Sequence, residues 1–155
     1  MTAPMSLPMR IDVPIKRLRP EATLPVYSHG PDEDAGLDLS YCGEETLVVP
    51  PLGRILCPTG LAIQLPPGCE GQVRPRSGLA AKRGITILNA PGTIDPGYRG
   101  EIKVILVNLS DAPQQIAPGD RIAQLVIAQY CAVELKEVET LDGTRREAGG
   151  FGSTG

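Results

Sequence analysis

Apolar and polar residues alternate along this chain in short runs, each ended by a turn signal. Runs rich in Val, Ile, Leu and Thr cover residues 37–41, 46–49, 61–65, 85–88, 102–109 and 122–132. Between them stand Pro50-Pro51-Leu52-Gly53, Pro66-Pro67-Gly68, Pro91-Gly92, Asp95-Pro96-Gly97, Pro118-Gly119-Asp120 and Asp142-Gly143. Many short strands joined by Gly/Pro turns predict an all-β sandwich, jelly roll or barrel. Sixteen prolines and eighteen glycines leave little room for long helices. One short helix is predicted over 77–83, with good helix formers at Leu79, Ala80, Ala81 and Lys82, Ser77 as its N-cap and Gly84 as its stop. The segment 92–100 reads as the tip of a β-hairpin, with 85–89 before it and 101–109 after it.

Composition narrows the class. At 155 residues with 41% apolar content, the chain makes one domain with one core. Its net charge of −3 argues against binding driven by general electrostatics, so neither a stable nucleic-acid partner nor a membrane is expected. No apolar run is long enough to span a bilayer. Residues 1–10 lack a signal peptide's apolar stretch, which predicts a cytoplasmic protein with a flexible N-terminal segment. Cys42, Cys57, Cys69 and Cys131 are irregularly spaced, and His29 is the only histidine. A Cys/His zinc site is therefore not expected, and the cysteines read as buried free thiols in a reducing compartment. His29 reads as a solvated loop residue.

Five segments carry candidate chemistry. The last is the tail Gly149-Gly150-Phe151-Gly152-Ser153-Thr154-Gly155, which holds the chain's only phenylalanine and accompanies a complete lack of tryptophan. A ring among so many glycines suits either a solvated end or a mobile lid, whose ring stacks on a flat ligand while bare N–H groups hold phosphates. Arg76-Ser77-Gly78 opens the short helix, where unpaired N–H groups and an arginine favour an anion, although an ordinary cap with a surface arginine fits too. In Gly92-Thr93-Ile94-Asp95-Pro96-Gly97-Tyr98-Arg99-Gly100 an acid and a tyrosine flank a rigid Pro-Gly turn. That pair suits a water and a sugar, or simply a good turn. Ala35-Gly36-Leu37-Asp38-Leu39 sets one acid on an alternating strand. Gly119-Asp120-Arg121-Ile122-Ala123-Gln124-Leu125 is a turn entering a strand, with Gln124 able to offer an amide.

These segments, in this order, resemble the five motifs of the trimeric dUTP pyrophosphatases (dUTPases), the second being Pro75-Arg76-Ser77-Gly78-Leu79-Ala80, the third starting at Asn89 and reaching Glu101, and the fifth starting at Arg146. One departure is Glu147, where family members often have glycine. The resemblance implies a jelly-roll β-barrel with one short helix, covering residues 1–155. It implies a homotrimer whose C-terminal arm, with 144–155 as a lid, reaches a neighbouring subunit. The implied reaction converts dUTP to dUMP and pyrophosphate by water attack on the α-phosphorus, keeping uracil out of DNA and supplying dUMP for dTMP synthesis.

The same resemblance implies the site residues. Asp95 would activate the water and bond the sugar 3′-hydroxyl. Asn89, with main-chain groups of Thr93, Ile94 and Asp95 and with Lys103, would pair with uracil. Tyr98 would pack on the deoxyribose and exclude a 2′-hydroxyl. Arg76, Ser77, Gly78 and Gln124 would hold the phosphates, and Arg146 would clamp the γ-phosphate. Phe151 would stack on uracil, while Gly152, Ser153 and Thr154 close over the phosphates. Mg²⁺ would be held by substrate oxygens and waters, with Asp38 behind its direct ligands and no protein side chain bound to it. A dCTP deaminase of the same fold is the nearest alternative, but Ile105 stands where those enzymes carry a proton-moving glutamate. An inactive nucleotide sensor or regulator, and a structural capsid-like protein, are the alternatives from other classes.

Overall fold

The computed structural model describes residues 7–152. Eleven strands and one helix follow in the order β1 (Ile15–Arg17), β2 (Leu37–Ser40), β3 (Leu47–Val49), β4 (Arg54–Pro58), β5 (Leu61–Ile63), β6 (Cys69–Arg74), α1 (Ser77–Arg83), β7 (Ile85–Ile87), β8 (Gly92–Ile94), β9 (Lys103–Asn108), β10 (Gln114–Ile116) and β11 (Arg121–Gln129). They pair into a four-stranded sheet β2-β11-β6-β8, a three-stranded sheet β4-β9-β7, and the two ribbons β1-β5 and β10-β3. Every pairing is antiparallel. This is the jelly-roll-like barrel with one short helix that the turn-rich sequence and its resemblance predict.

One core joins the sheets. Leu39, Val49, Leu61, Ile85, Leu106, Ile116 and Ile122 come from seven different strands and are each at most 1% exposed. Each such side chain stabilises the barrel by about 1.5–3 kcal/mol on burial. Two buried polar residues stitch the loops to this core. Thr59 Oγ1 donates to the Ile102 carbonyl at 2.6 Å. Asn108 Nδ2 donates to the carbonyls of Val49 and Ala112 at 2.9 and 2.8 Å, while its Oδ1 accepts from the Ser110 N–H and hydroxyl. No buried side-chain polar atom lacks a partner among the described residues.

Several local expectations are corrected. The segment 92–100 is more than a hairpin tip. Strands β7 and β9 do pair, but residues 92–94 between them form β8 and join β6 in the other sheet. The helix cap is Arg76, extended at φ −97° and ψ 128°, and makes no side-chain capping bond. Ser77 is the first helical residue, because the backbone turns helical directly after Arg76. The stop is Gly84, left-handed at φ 64° as predicted, with its N–H bonded to the Ala80 carbonyl. Strand β11 ends at Gln129, so Cys131 lies beyond it and is exposed, whereas Cys42, Cys57 and Cys69 are buried free thiols. Burial pushes the Cys57 thiol up to about 12.

From residue 130 to 152 no strand or helix forms. Along this arm Val133, Leu135 and Leu141 are 77%, 92% and 88% exposed. At the other end, Arg10 pairs with Asp32 at 2.7 Å. The flexible segment expected over 1–10 falls mostly outside the described residues. Among those described, no helix is long and apolar enough to cross a membrane.

Candidate active site

Strand alternation builds the first candidate cleft. In the four-stranded sheet Gln124 of β11 stands opposite Asp38 of β2 on one side and Arg74 of β6 on the other. A strand turns successive side chains to opposite faces, so these three share the outer face while Leu125 and Val73 turn to the core. The chain then leaves β6 through Pro75 and Arg76 into α1. Arg76 Nε donates to Asp38 at 3.0 Å, and Arg121 Nη1 donates to the other carboxylate oxygen at 3.1 Å. Ser28 Oγ donates to the same carboxylate at 3.1 Å. Gln124 Nε2 donates to the Pro75 carbonyl at 2.8 Å. A Cβ on Gly36 would collide with Gln124 Oε1, so the glycine makes room for that amide.

The resulting cleft holds about 350 Å³ and is lined by His29, Asp38, Arg74, Arg76, Ser77 and Gln124, among others. Ser77 and Gly78 are exposed at its rim. At the edge His29 is a largely exposed loop residue, as its polar neighbours predict, and its ring lies 3.1 Å from Asp34. The His29 main-chain N–H, followed by its ring, holds the Asp34 carboxyl below the usual carboxylate range. Glu33 and Asp34 also line the cleft, so three acids balance Arg74, Arg76 and the adjoining Arg121; the guanidiniums, with their several N–H groups, are what suit an anion with several oxygens.

The hairpin shapes the second cleft. Strand β8 pairs with β6 through Ile94 opposite Gly71 and Gly92 opposite Val73. The turn after it is closed by the Tyr98 N–H donating to the Asp95 carbonyl at 3.0 Å. Tyr98 folds back so that its hydroxyl donates to the Glu101 carbonyl at 2.9 Å. A Cβ on Gly100 would meet that hydroxyl, which explains the glycine. The cleft holds about 360 Å³ and is lined by Asn89, Thr93, Ile94, Tyr98, Lys103 and Ile105, among others. Asp95 is exposed at the turn directly after Ile94. At Ile105 an alkyl group faces the cleft, so the deaminase alternative has no proton-moving group there.

The two clefts share no lining residue. Val73 lines one and its neighbour Arg74 lines the other, so the two clefts meet β6 at adjacent residues without merging. Asn89, Thr93, Ile94, Tyr98 and Lys103 are thus brought together, and so are Asp38, Arg76, Ser77, Gly78 and Gln124, but the two groups are not. A third group joins neither. Arg146 Nε donates to the Gly149 carbonyl at 2.7 Å, and the Phe151 ring is fully exposed. Gly152 follows it at φ 83°. Ser153 and Thr154 lie outside the described residues. Glu147 accepts from the Thr144 N–H at 2.7 Å and gives its own N–H to the Thr144 hydroxyl, closing a small turn in the arm.

Reading the residues in order misses Arg121, Gly36 and Glu101. Each lies inside a segment with candidate chemistry, but its contact comes from a partner distant in sequence. Among the described residues, no three His, Cys, Asp or Glu side chains converge as a metal cluster.

An antiparallel barrel with an arginine-bearing cleft and a separate cleft of main-chain and amide groups suits a nucleotide-handling class. Residues 22–155 match the dUTPase family, and the chain belongs to it. It is 53% identical over 146 residues to the deoxyuridine 5′-triphosphate nucleotidohydrolase of Solibacter usitatus, covering 94% of this chain and 97% of that one. With the same enzyme from Wolinella succinogenes it shares 54% over 151 residues, 97% of this chain and 99% of the relative. The dUTPase of Staphylococcus bacteriophage 80alpha, solved with dUPNHPP, superimposes with a TM-score of 0.84 at 30% identity, over 93% of this chain and 98% of that one. A mutant dUTPase from phage phi11 of S. aureus, described for its coordination of a structural Mg(II) ion, gives 0.74 at 29% identity, over 86% of this chain and all of that one.

Proposed function

We propose that this dUTPase hydrolyses dUTP to dUMP and pyrophosphate in a site that combines the hairpin cleft of one subunit with the arginine-bearing cleft of another, in a homotrimer. The observation that carries the reading is the separation of the two clefts. Their chemistries are complementary halves of a nucleotide site, yet they share no lining residue in one chain. A symmetric oligomer resolves this by facing one subunit's hairpin to its neighbour's arginines. The exposed arm with Val133, Leu135 and Leu141 supports a chain end that packs on a neighbour. Residues 1–155 then act as one domain, with 144–155 as its lid.

Uracil enters the hairpin cleft, where Asn89 and the main chain of Thr93, Ile94 and Asp95 offer donors and acceptors in fixed positions, with Lys103 at the margin. Cytosine exchanges a donor for an acceptor and leaves buried groups unpaired, which rejects it. Tyr98, locked on the Glu101 carbonyl, packs on the deoxyribose and fills the space of a 2′-hydroxyl. Arg76, Ser77, Gly78 and Gln124 hold the phosphates. Asp95 accepts a proton from a water as its oxygen bonds the α-phosphorus. The bond from that phosphorus to the bridging oxygen breaks, and Ser77 stabilises the charge on departing pyrophosphate. Arg146 reaches the γ-phosphate, Phe151 covers the base, and Gly152, Ser153 and Thr154 close over the phosphates, excluding bulk water.

The donor set fits Mg²⁺ held by substrate. Asp38 is already paired with Arg76 and Arg121, so it is not free to ligate directly and stands behind an ion whose ligands are phosphate oxygens and waters. When bound, the ion neutralises phosphate charge. Three buried free thiols fit a reducing compartment, the cytoplasm.

The deciding experiment is Mg²⁺-dependent pyrophosphate release by the purified protein, with dUTP, dCTP, dTTP and UTP supplied separately and light scattering on the same sample. Release from dUTP alone by a trimer is the expected result. A trimer that releases nothing is a sensor or regulator, and an active monomer rejects the shared site.

A further inference from the structure

The third motif carries one acid that the mechanism above leaves without a task. Glu101 lies at the foot of the hairpin, just before β9. Residues 101–105 all help to line the hairpin cleft; Ile102 and Val104 are buried at 2% and 1% exposure, while Glu101 and Lys103 bring the charged groups. The Glu101 side chain is only 15% exposed. Its Oε1 accepts the Gly60 N–H at 2.9 Å and lies 3.7 Å from Arg19 Nη2. The other oxygen, Oε2, lies 3.8 Å from Lys103 Nζ, and the Glu101 carbonyl takes the Tyr98 hydroxyl. A single residue thus touches both cleft side chains, one through each of its ends.

The anchor is firm. Gly60 is buried and left-handed at φ 69°, and a Cβ there would lie 2.9 Å from both Ala22 and Cys42 Sγ. Its carbonyl is already used by the Leu18 N–H at 2.7 Å, and Arg19 Nη1 is tied to the Cys42 carbonyl at 2.7 Å. With Gly60 fixed on every side, a carboxylate bonded to its N–H is fixed as well.

We propose that Glu101 is a positioning residue for base and sugar selection: its carboxylate, bonded to the Gly60 N–H, fixes the backbone whose carbonyl holds Tyr98 and pairs with Lys103 at the hairpin cleft. This rests on the functional reading above. Charge-assisted bonds to main-chain N–H groups are among the stronger ones, and this one is shielded from solvent. The bond acts on binding alike in ground and transition states, so its loss is read in KM rather than kcat.

The test is steady-state hydrolysis of dUTP and UTP by wild type, Glu101→Ala, Glu101→Gln and Glu101→Asp, with melting temperatures alongside. Expected for Glu101→Ala is a KM for dUTP raised about tenfold, kcat within about twofold, and a higher UTP-to-dUTP ratio of kcat/KM. Gln keeps the reach and the acceptor for Gly60, so its KM stays within about threefold. Asp keeps the charge but loses the reach, so its KM rises, and this variant decides the matter if Glu101→Ala fails to fold. A lowered melting temperature with KM and the substrate ratio unchanged in Ala and Asp overturns the proposal, leaving a purely structural residue. A Gln variant as impaired as Ala overturns the Gly60 anchor. Absence of dUTP turnover in wild type itself overturns the functional reading and this inference together.

Discussion

The hairpin cleft and the arginine-bearing cleft use opposite means. In the first, Tyr98 is locked to the Glu101 carbonyl, Gly100 lets its ring fold back, and β8 is held in register against β6. The selectivity proposed for it is geometric. In the second, guanidiniums converge on a carboxylate that balances them until a ligand with more oxygens arrives. Its strength is electrostatic. A base has to be told from bases of nearly the same size, which requires groups fixed in place. A triphosphate needs charge and adaptable reach, which long arginine side chains supply. The difference teaches that substitutions on the hairpin side should change which substrate is chosen, whereas displacing the phosphate-side groups should weaken substrate binding in general.

The strongest way to break the comparison is Asp95→Asn. Turnover is expected to fall by about a thousandfold while dUTP binding persists, because the amide cannot accept the proton of the attacking water. Calorimetric binding beside kcat checks it, and a wild-type kcat removes Asp95 as the base. Mixing and refolding this variant with Arg76→Ala sharpens the point. If each site draws its halves from two chains, about a quarter of the sites in random trimers recover both. No recovery means that both halves act within one chain. Deleting residues 149–155 is expected to lower kcat/KM by roughly a hundredfold while leaving a stable trimer, since lid closure fixes the attack geometry. Light scattering that shows monomers would make the tail structural instead. On the phosphate side Gly36→Ala pushes Gln124 off the Pro75 carbonyl, and KM is expected to rise about fivefold with kcat little changed.

The smallest effect lies in the core that carries both clefts. The Cys57 thiol stands at about 12 when folded, against 9.0 as an unburied group. A raised pKa keeps the neutral thiol in the fold while the unfolded chain ionises. Stability is therefore full below pH 9 and falls as pH rises toward 12, by about 1 kcal/mol at pH 10. Urea midpoints for wild type and Cys57→Ala should converge over that range. Parallel curves exclude the thiol as the source.

Runs rich in Val, Ile and Leu were legible in the sequence. Ile85–Ile87, Lys103–Asn108 and Arg121–Gln129 fall inside runs picked out by Val, Ile and Leu or within a residue of them. The strands without that signal were not. In β6 the buried positions are Cys69, Gly71 and Val73, and Gly71 has no side chain to reveal the alternation. Likewise β1, β4, β8 and β10 are short, and β4 ends in a proline. Motif residues such as Arg76, Tyr98 and Gln124 could be found one by one, because each stands at a turn or strand entry with its own chemistry. What no spacing reveals is the sheet between them. Arg74 and Val73, adjacent in sequence, line different clefts, and β6 stands between β11 and β8, a placement that only the sheet pairing reveals. The Asp38–Arg121 pair, 83 residues apart, is invisible for the same reason.

Separate clefts, on the proposed shared site, also bear on the rate law. If a finished site needs two chains, an isolated chain is inert however well it folds. At low concentration the velocity rises more steeply than in proportion to the amount of protein, and dilution slows the enzyme before it loosens any barrel.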